Sequence, residues 1–119
     1  MQRGEVWWAK VPMSGTRGKR RPMLIVSHDA FNQNDRYSKV MVVHVTTVKR
    51  LGGPYDWEVE FPRGTAGLER SGVVKCGEIY TLWKDQLQGP VGTVPRTLMR
   101  QVDQALAIAL GLPDLSLYL

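Results

Sequence analysis

The sequence predicts a small, mainly β domain: a compact barrel or strongly bent sheet of several short strands, followed by one C-terminal helix. Short apolar or alternating runs recur along the chain, and turn residues separate them every ten or so positions. A helical period is present at the C-terminal end. The length of 119 residues suits a single domain, residues 1–119.

Residues 5–11, EVWWAKV, are rich in aromatic and β-branched side chains and read as a strand. Residues 12–21 carry two glycines, a proline and a run of cations, and read as a basic loop. The continuous apolar run 22–27 suits a buried strand that Pro22 can open, since proline has no place in a strand's middle. Polar residues 28–39 form a loop with room for one helical turn. VMVVHVTT at 40–47 is the strongest strand signal. Gly52, Gly53 and Pro54 mark a turn. Residues 56–61 alternate as a half-buried strand, and residues 62–70 are a loop. Residues 72–81 form a long strand that can bend at Gly77, and 91–94 add a short one. Finally Leu98, Met99, Val102, Ala105, Leu106, Ala109 and Leu110 share one face of a helix that packs on the sheet. Pro95 suits its first turn and Gly111 its stop.

Sixteen Lys and Arg against eleven Asp and Glu give a net charge of +5. That balance favours polyanionic partners without choosing among them. A lone cysteine, Cys76, forms no intrachain disulfide, and the N-terminus lacks a signal-type apolar region. No apolar run reaches membrane-spanning length. The cytoplasm is the expected location. His28, His44 and Cys76 show no metal-ligand spacing, and no phosphate-cradling glycine loop or dinucleotide fingerprint occurs. No cofactor and no metal are expected.

The chemistry-bearing residues fall in two places. Arg17, Lys19, Arg20 and Arg21 put four cations within five residues. Guanidinium forks suit phosphate, although a solvated cationic loop would have the same composition. Arg21 differs from its neighbours because Pro22 restricts it to extended conformations. On the strand 40–47, the period of two puts His44 and Thr46 on one face, roughly 7 Å apart. A threonine hydroxyl near a strand end can donate to a phosphoryl oxygen, while His44 reads equally as a hydrogen-bonded core residue.

At these residues the chain resembles the MazF/PemK (Kid) family of toxin endoribonucleases. The resemblance runs through RGEVWWAKV at 3–11, RRPMLIVSHDAFN at 20–32, VMVVHVTT at 40–47, GVVKCGEIYTLWKDQL at 72–87 and VGTVPRTLMRQVDQALAIALGL at 91–112. Each piece alone is a weak match, but five in order span nearly the whole chain. The resemblance implies a Src-homology-3-like β-barrel of the plasmid-maintenance-toxin type with a C-terminal helix, and a homodimer. It implies sequence-selective, metal-independent cleavage of single-stranded RNA, including messenger RNA. It also implies a cognate antitoxin whose disordered, acidic C-terminal segment covers the active site. Arg21 and Thr46 match the residues that serve the scissile phosphate in that family. Arg17, Lys19, Arg20, Ser27, His28, Lys49 and Glu78 are the expected RNA contacts.

The chain departs from the family pattern at His28, Val48, Glu78, Tyr80 and Thr16. These positions lie near where bases would be read, so the cleavage motif stays open, as do acid–base roles for His28 and His44. Two rivals differ in class. A gyrase-binding toxin shares the scaffold, but its contact does not resemble the apolar end PDLSLYL. A non-catalytic RNA-binding module would use the same basic loops and tryptophans.

Overall fold

In the computed structural model, residues 1–10 and 19–113 are described. The elements run β1 (Glu5–Lys10), β2 (Arg20–Ile25), the single turn α1 (Asp29–Asn32), β3 (Lys39–Thr46), β4 (Glu58–Phe61), β5 (Gly72–Trp83), β6 (Leu87–Thr93) and α2 (Arg96–Leu110). The strands form one sheet in the order β4-β5-β3-β2-β1-β6. Every pairing is antiparallel.

The sheet has apolar residues on both faces, which explains the unbroken apolar runs in β2 and β3. Val6, Leu24, Val43, Val45 and Val74 pack with Val102, Ala105 and Leu106 of α2. Ala9, Met23, Ile25, Val42 and Leu82 form a second cluster with Leu87. Residues 23 and 25 alternate with 24, so the two clusters take opposite faces of β2. Burying a side chain such as Val102 or Leu106 contributes about 1.5–3 kcal/mol. Arg3 ties the helix to the sheet: it is ion-paired to Asp103 at 2.8 Å, and its Nε donates to the Val26 carbonyl at 2.9 Å.

The fold class is the one expected, a mainly β, Src-homology-3-like sheet with a C-terminal helix. The bending stops short of a closed barrel, because edge strands β4 and β6 do not pair with each other. Instead the 3₁₀ turn Thr65–Gly67, which follows β4, lies against β6. A Cβ at Gly92 would stand 2.3 Å from the Ala66 carbonyl oxygen. Only glycine permits that approach.

Several boundaries differ from expectation. β2 begins at Arg20 and runs through Pro22, which pairs with Trp8 of β1. Proline is accepted there because the ladder to β3 extends no further than Met23. β5 continues to Trp83, with its register to β3 broken between Val43 and His44, opposite the stretch that holds Gly77. β6 starts at Leu87, four residues before the expected strand. On α2 the buried stripe ends at Leu106, leaving Ala109 and Leu110 exposed.

Gly92→Ala should lower stability by about 1–3 kcal/mol, the cost of forcing atoms into a filled contact. Urea unfolding would show the midpoint fall, and an unchanged midpoint would mean the 65–67 turn does not rest on β6.

Candidate active site

The β2–β3 pairing sets the geometry. Met23 is opposite His44. Two residues beyond that last rung, the same register extended along the strands carries Arg21 and Thr46 toward one side of the sheet. Both line an open cleft of ≈ 450 Å³, together with Trp8, Pro22, Thr47 and Arg70.

Each of the two side chains is prepared for an anion. Arg21 is half-buried, and its Nε is buried with no hydrogen-bond partner among the described residues. Leaving such a donor unpaired costs about 1–3 kcal/mol, so the guanidinium gains by meeting an acceptor. Thr46 is buried, and its Oγ1 accepts the Val48 N–H at 3.2 Å. That bond engages a lone pair and leaves the hydroxyl hydrogen to donate.

His44 shares the face of Arg21 and Thr46 but does not line the cleft. Its Nδ1 lies 3.7 Å from a Glu78 carboxylate oxygen and makes no hydrogen bond. Burial lowers its pKa below 6.5. Glu78 opposes that shift, and Lys75 and Arg21 reinforce it. His44 is therefore neutral at pH 7.

The other sequence candidates are dispersed. Arg20 lines the cleft, with its guanidinium 5.3 Å over the Trp8 ring and Nη1 donating to Gln88 Oε1 at 3.1 Å. Lys19 and Lys49 are exposed, beside β2's start and beyond β3's end. Arg17 lies outside the described residues. Ser27 and His28 are not brought to this cleft. They follow the other end of β2, roughly 20 Å from Arg21 along the strand. Ser27 is buried, donates to Asn32 Oδ1 and accepts the Met41 N–H. His28 caps α1, with Nδ1 accepting the Ala30 N–H at 2.9 Å. The sequence reading offered Trp8 only as a base-stacking residue of the binding-module alternative, and it missed Thr47, Arg70 and Ser71. Arg70 and Ser71 come from a glycine-containing loop whose only sequence signal was its cations.

The chain matches the family model described as PemK-like, MazF-like toxin of type II toxin-antitoxin system over residues 2–110. Endoribonuclease MazF6 of Mycobacterium tuberculosis is 36% identical over 114 residues, covering 94% of this chain and 98% of that protein. Endoribonuclease EndoA of Bacillus subtilis is 30% identical, covering 96% and 97%. The chain belongs to this family. An endoribonuclease in complex with its cognate antitoxin, from a Mycobacterial species, superposes with a TM-score of 0.79 at 32% identity, covering 96% of this chain and 98% of that one.

In this PemK/MazF-like toxin, the loop that follows Thr46 is held from below. Glu58 is buried, and its carboxylate contacts Arg50 at 3.1 Å and Lys75 at 3.0 Å. It also accepts the Tyr55 N–H at 3.0 Å. The Arg50 guanidinium sits 3.8 Å over the Tyr55 ring, which stacks on Trp57 at 4.5 Å. Trp57 in turn covers Gly77, where a Cβ would stand 2.9 Å from its Cδ1. Burial alone would raise the Glu58 carboxyl, but Arg50, the Tyr55 N–H and Lys75 hold it down at about 2. A depressed carboxylate contributes stability that is present above its unfolded pKa of 4.5 and lost as pH falls toward about 2. Glu58→Gln should therefore flatten the loss of stability between pH 4.5 and 2, as followed by thermal melts across that range. Parallel slopes for the two proteins would remove Glu58 from the acid response.

Proposed function

We propose that this toxin is a sequence-selective endoribonuclease that cuts single-stranded RNA without a metal ion, with Arg21 and Thr46 on the scissile phosphate. The observation that carries the reading is the unpaired, buried Arg21 Nε in an open cleft shared with Thr46. The names of the relatives, endoribonucleases from three genera, support the reaction class.

The chemistry follows from what these groups supply. The RNA 2′-hydroxyl attacks the adjacent phosphorus and loses its proton. The bond to the 5′-oxygen breaks, and that oxygen takes up a proton. A 2′,3′-cyclic phosphate and a free 5′-hydroxyl result. Negative charge grows on the non-bridging oxygens, where the Arg21 guanidinium and the Thr46 hydroxyl are aimed. Donors fixed before the reaction stabilise that charge without reorganising. Arg20, Arg70 and the exposed Lys19 and Lys49 draw the polyanion in.

The same charge suits an acidic inhibitor. The antitoxin's disordered acidic segment lies over the cleft and competes with RNA. The solved Mycobacterial relative was captured with its cognate antitoxin. The toxin acts as a homodimer in the cytoplasm, where RNA and antitoxin are both present. No described helix is long and apolar enough to cross a membrane.

The test is incubation of the purified protein with a long single-stranded RNA in EDTA, followed by mapping of the new 5′ ends. Discrete cuts by the wild type are expected. Arg21→Ala should lose about 10²–10³ in rate, as removal of one such donor does, and Thr46→Val should fall in the same direction. Near wild-type cleavage by Arg21→Ala would sink the assignment. RNA bound but left intact would favour a binding module. Because His44 stands outside the cleft, His44→Ala should keep the wild-type pH–rate profile, and loss of a limb would bring His44 into the proton transfers.

A further inference from the structure

Next to the catalytic cleft lies a second hollow of ≈ 260 Å³, lined by Trp8, Ala9, Lys10, Arg20, Gln86 and Gln88. The two share Trp8 and Arg20. Successive strand residues project to opposite sides. The start of β2 thus sends Arg21 toward Thr46 and Arg20 over the Trp8 ring. A ligand spanning both hollows would place a phosphate at one and its neighbouring group at the other.

The hydrogen-bonding character of this hollow is fixed by its own contacts. Gln88 Oε1 accepts from the Arg20 guanidinium at 3.1 Å. Gln86 Oε1 accepts from the Trp83 N–H at 2.9 Å. A guanidinium and a backbone N–H can only donate, so each amide oxygen already holds one donor and keeps one lone pair, while each amide NH₂ offers two hydrogens. Lys10 and the remaining Arg20 N–H groups are donors as well, and no carboxylate is among the described residues that line the hollow. The polar side chains there offer mainly donors around a Trp8 ring. That is the complement of a planar group rich in carbonyl oxygens.

We propose that this hollow is a base-reading subsite, taking the nucleobase beside the scissile phosphate and selecting uracil or guanine over adenine and cytosine. Uracil presents two carbonyl oxygens, and guanine presents O6 and N7 as acceptors on one edge. On the corresponding edge adenine and cytosine instead carry an exocyclic NH₂, which meets donors with a donor, whereas the guanine NH₂ lies on the opposite edge. Single-stranded RNA leaves bases unstacked and free to enter, and Trp8 provides a ring face or edge beside them. This assignment rests on the endoribonuclease reading and adds to it the residues that choose the cut site.

Gln88→Glu isolates the effect. The carboxylate still accepts from Arg20 but loses the NH₂ donor, and Gln86→Glu does the same at the Trp83 N–H. Two readouts are needed. Cut sites are mapped on a long RNA, and binding is measured to 2′-O-methyl hexamers of U and of A, which lack the attacking hydroxyl. The wild type should restrict one position of its motif to U or G and bind the U hexamer more tightly. Either variant should narrow that preference about 10-fold, within the discrimination a paired base contact provides. RNA cut at an unchanged motif, with an unchanged U-to-A binding ratio, would overturn the subsite and leave the nuclease standing. A loss of rate equal for all bases would overturn it too. A narrowed U-to-A ratio in a protein that cuts no RNA would uphold the subsite and remove the nuclease.

Discussion

The site depends on how β2 is registered against β3. The Met23–His44 pair is the last rung of that ladder, and everything beyond it is set by extrapolation along two stiff strands. Register is firmly held because both faces are committed. Leu24 is fully buried toward α2, while Met23 and Ile25 are fully buried on the other side. A slip of one residue would exchange the faces and drive Arg21 toward the helix-side core, burying a guanidinium among apolar side chains. The hydrophobic core therefore acts as the ruler that places Arg21 and Thr46. Pro22 marks where the ruler ends, since it gives β3 no further N–H and lets the strands part into a cleft.

The aromatic and ionic network under the 47–57 loop works at the same junction. β5 must break register beside His44 to curl the sheet, and Gly77 lies in the broken stretch. Trp57 covers that glycine, Tyr55 stacks on Trp57, and Arg50 closes the stack while pairing with Glu58. The loop leaving Thr46 is thereby fastened to the bend that shapes the sheet. The Thr46 hydroxyl and the sheet curvature share one support.

Much of this was legible in the sequence, and the gaps have physical causes. β3 and the body of β2 announce themselves because buried strands are nearly all apolar. β6 was underread because its segment LQGPVGT has two glycines and a proline, which argue against a strand anywhere but at an edge. It is an edge strand, and Gly92 is there for the close approach of Ala66. With half of β6 unseen, Gln86 and Gln88 had no reason to stand beside Trp8. Arg21 and Thr46 were named from the Arg-Pro pair and the strand end. Ser27 and His28 were named with them through the family resemblance, and a six-residue strand separates the two pairs by its full length. Their hydrogen bonds serve α1 and its loop instead.

The single thiol has a consequence of another kind. Cys76 is fully buried in the helix-side core, and burial, with Asp103 and Glu58 nearby, pushes its pKa up to about 12. Almost none of it is thiolate at neutral pH, so electrophiles and oxidants find neither the reactive form nor a path to it. A reagent can label it only when β5 lifts away from α2. The chain thus carries its own clock for breathing of the core: the rate of alkylation at one atom counts how often the sheet and helix come apart.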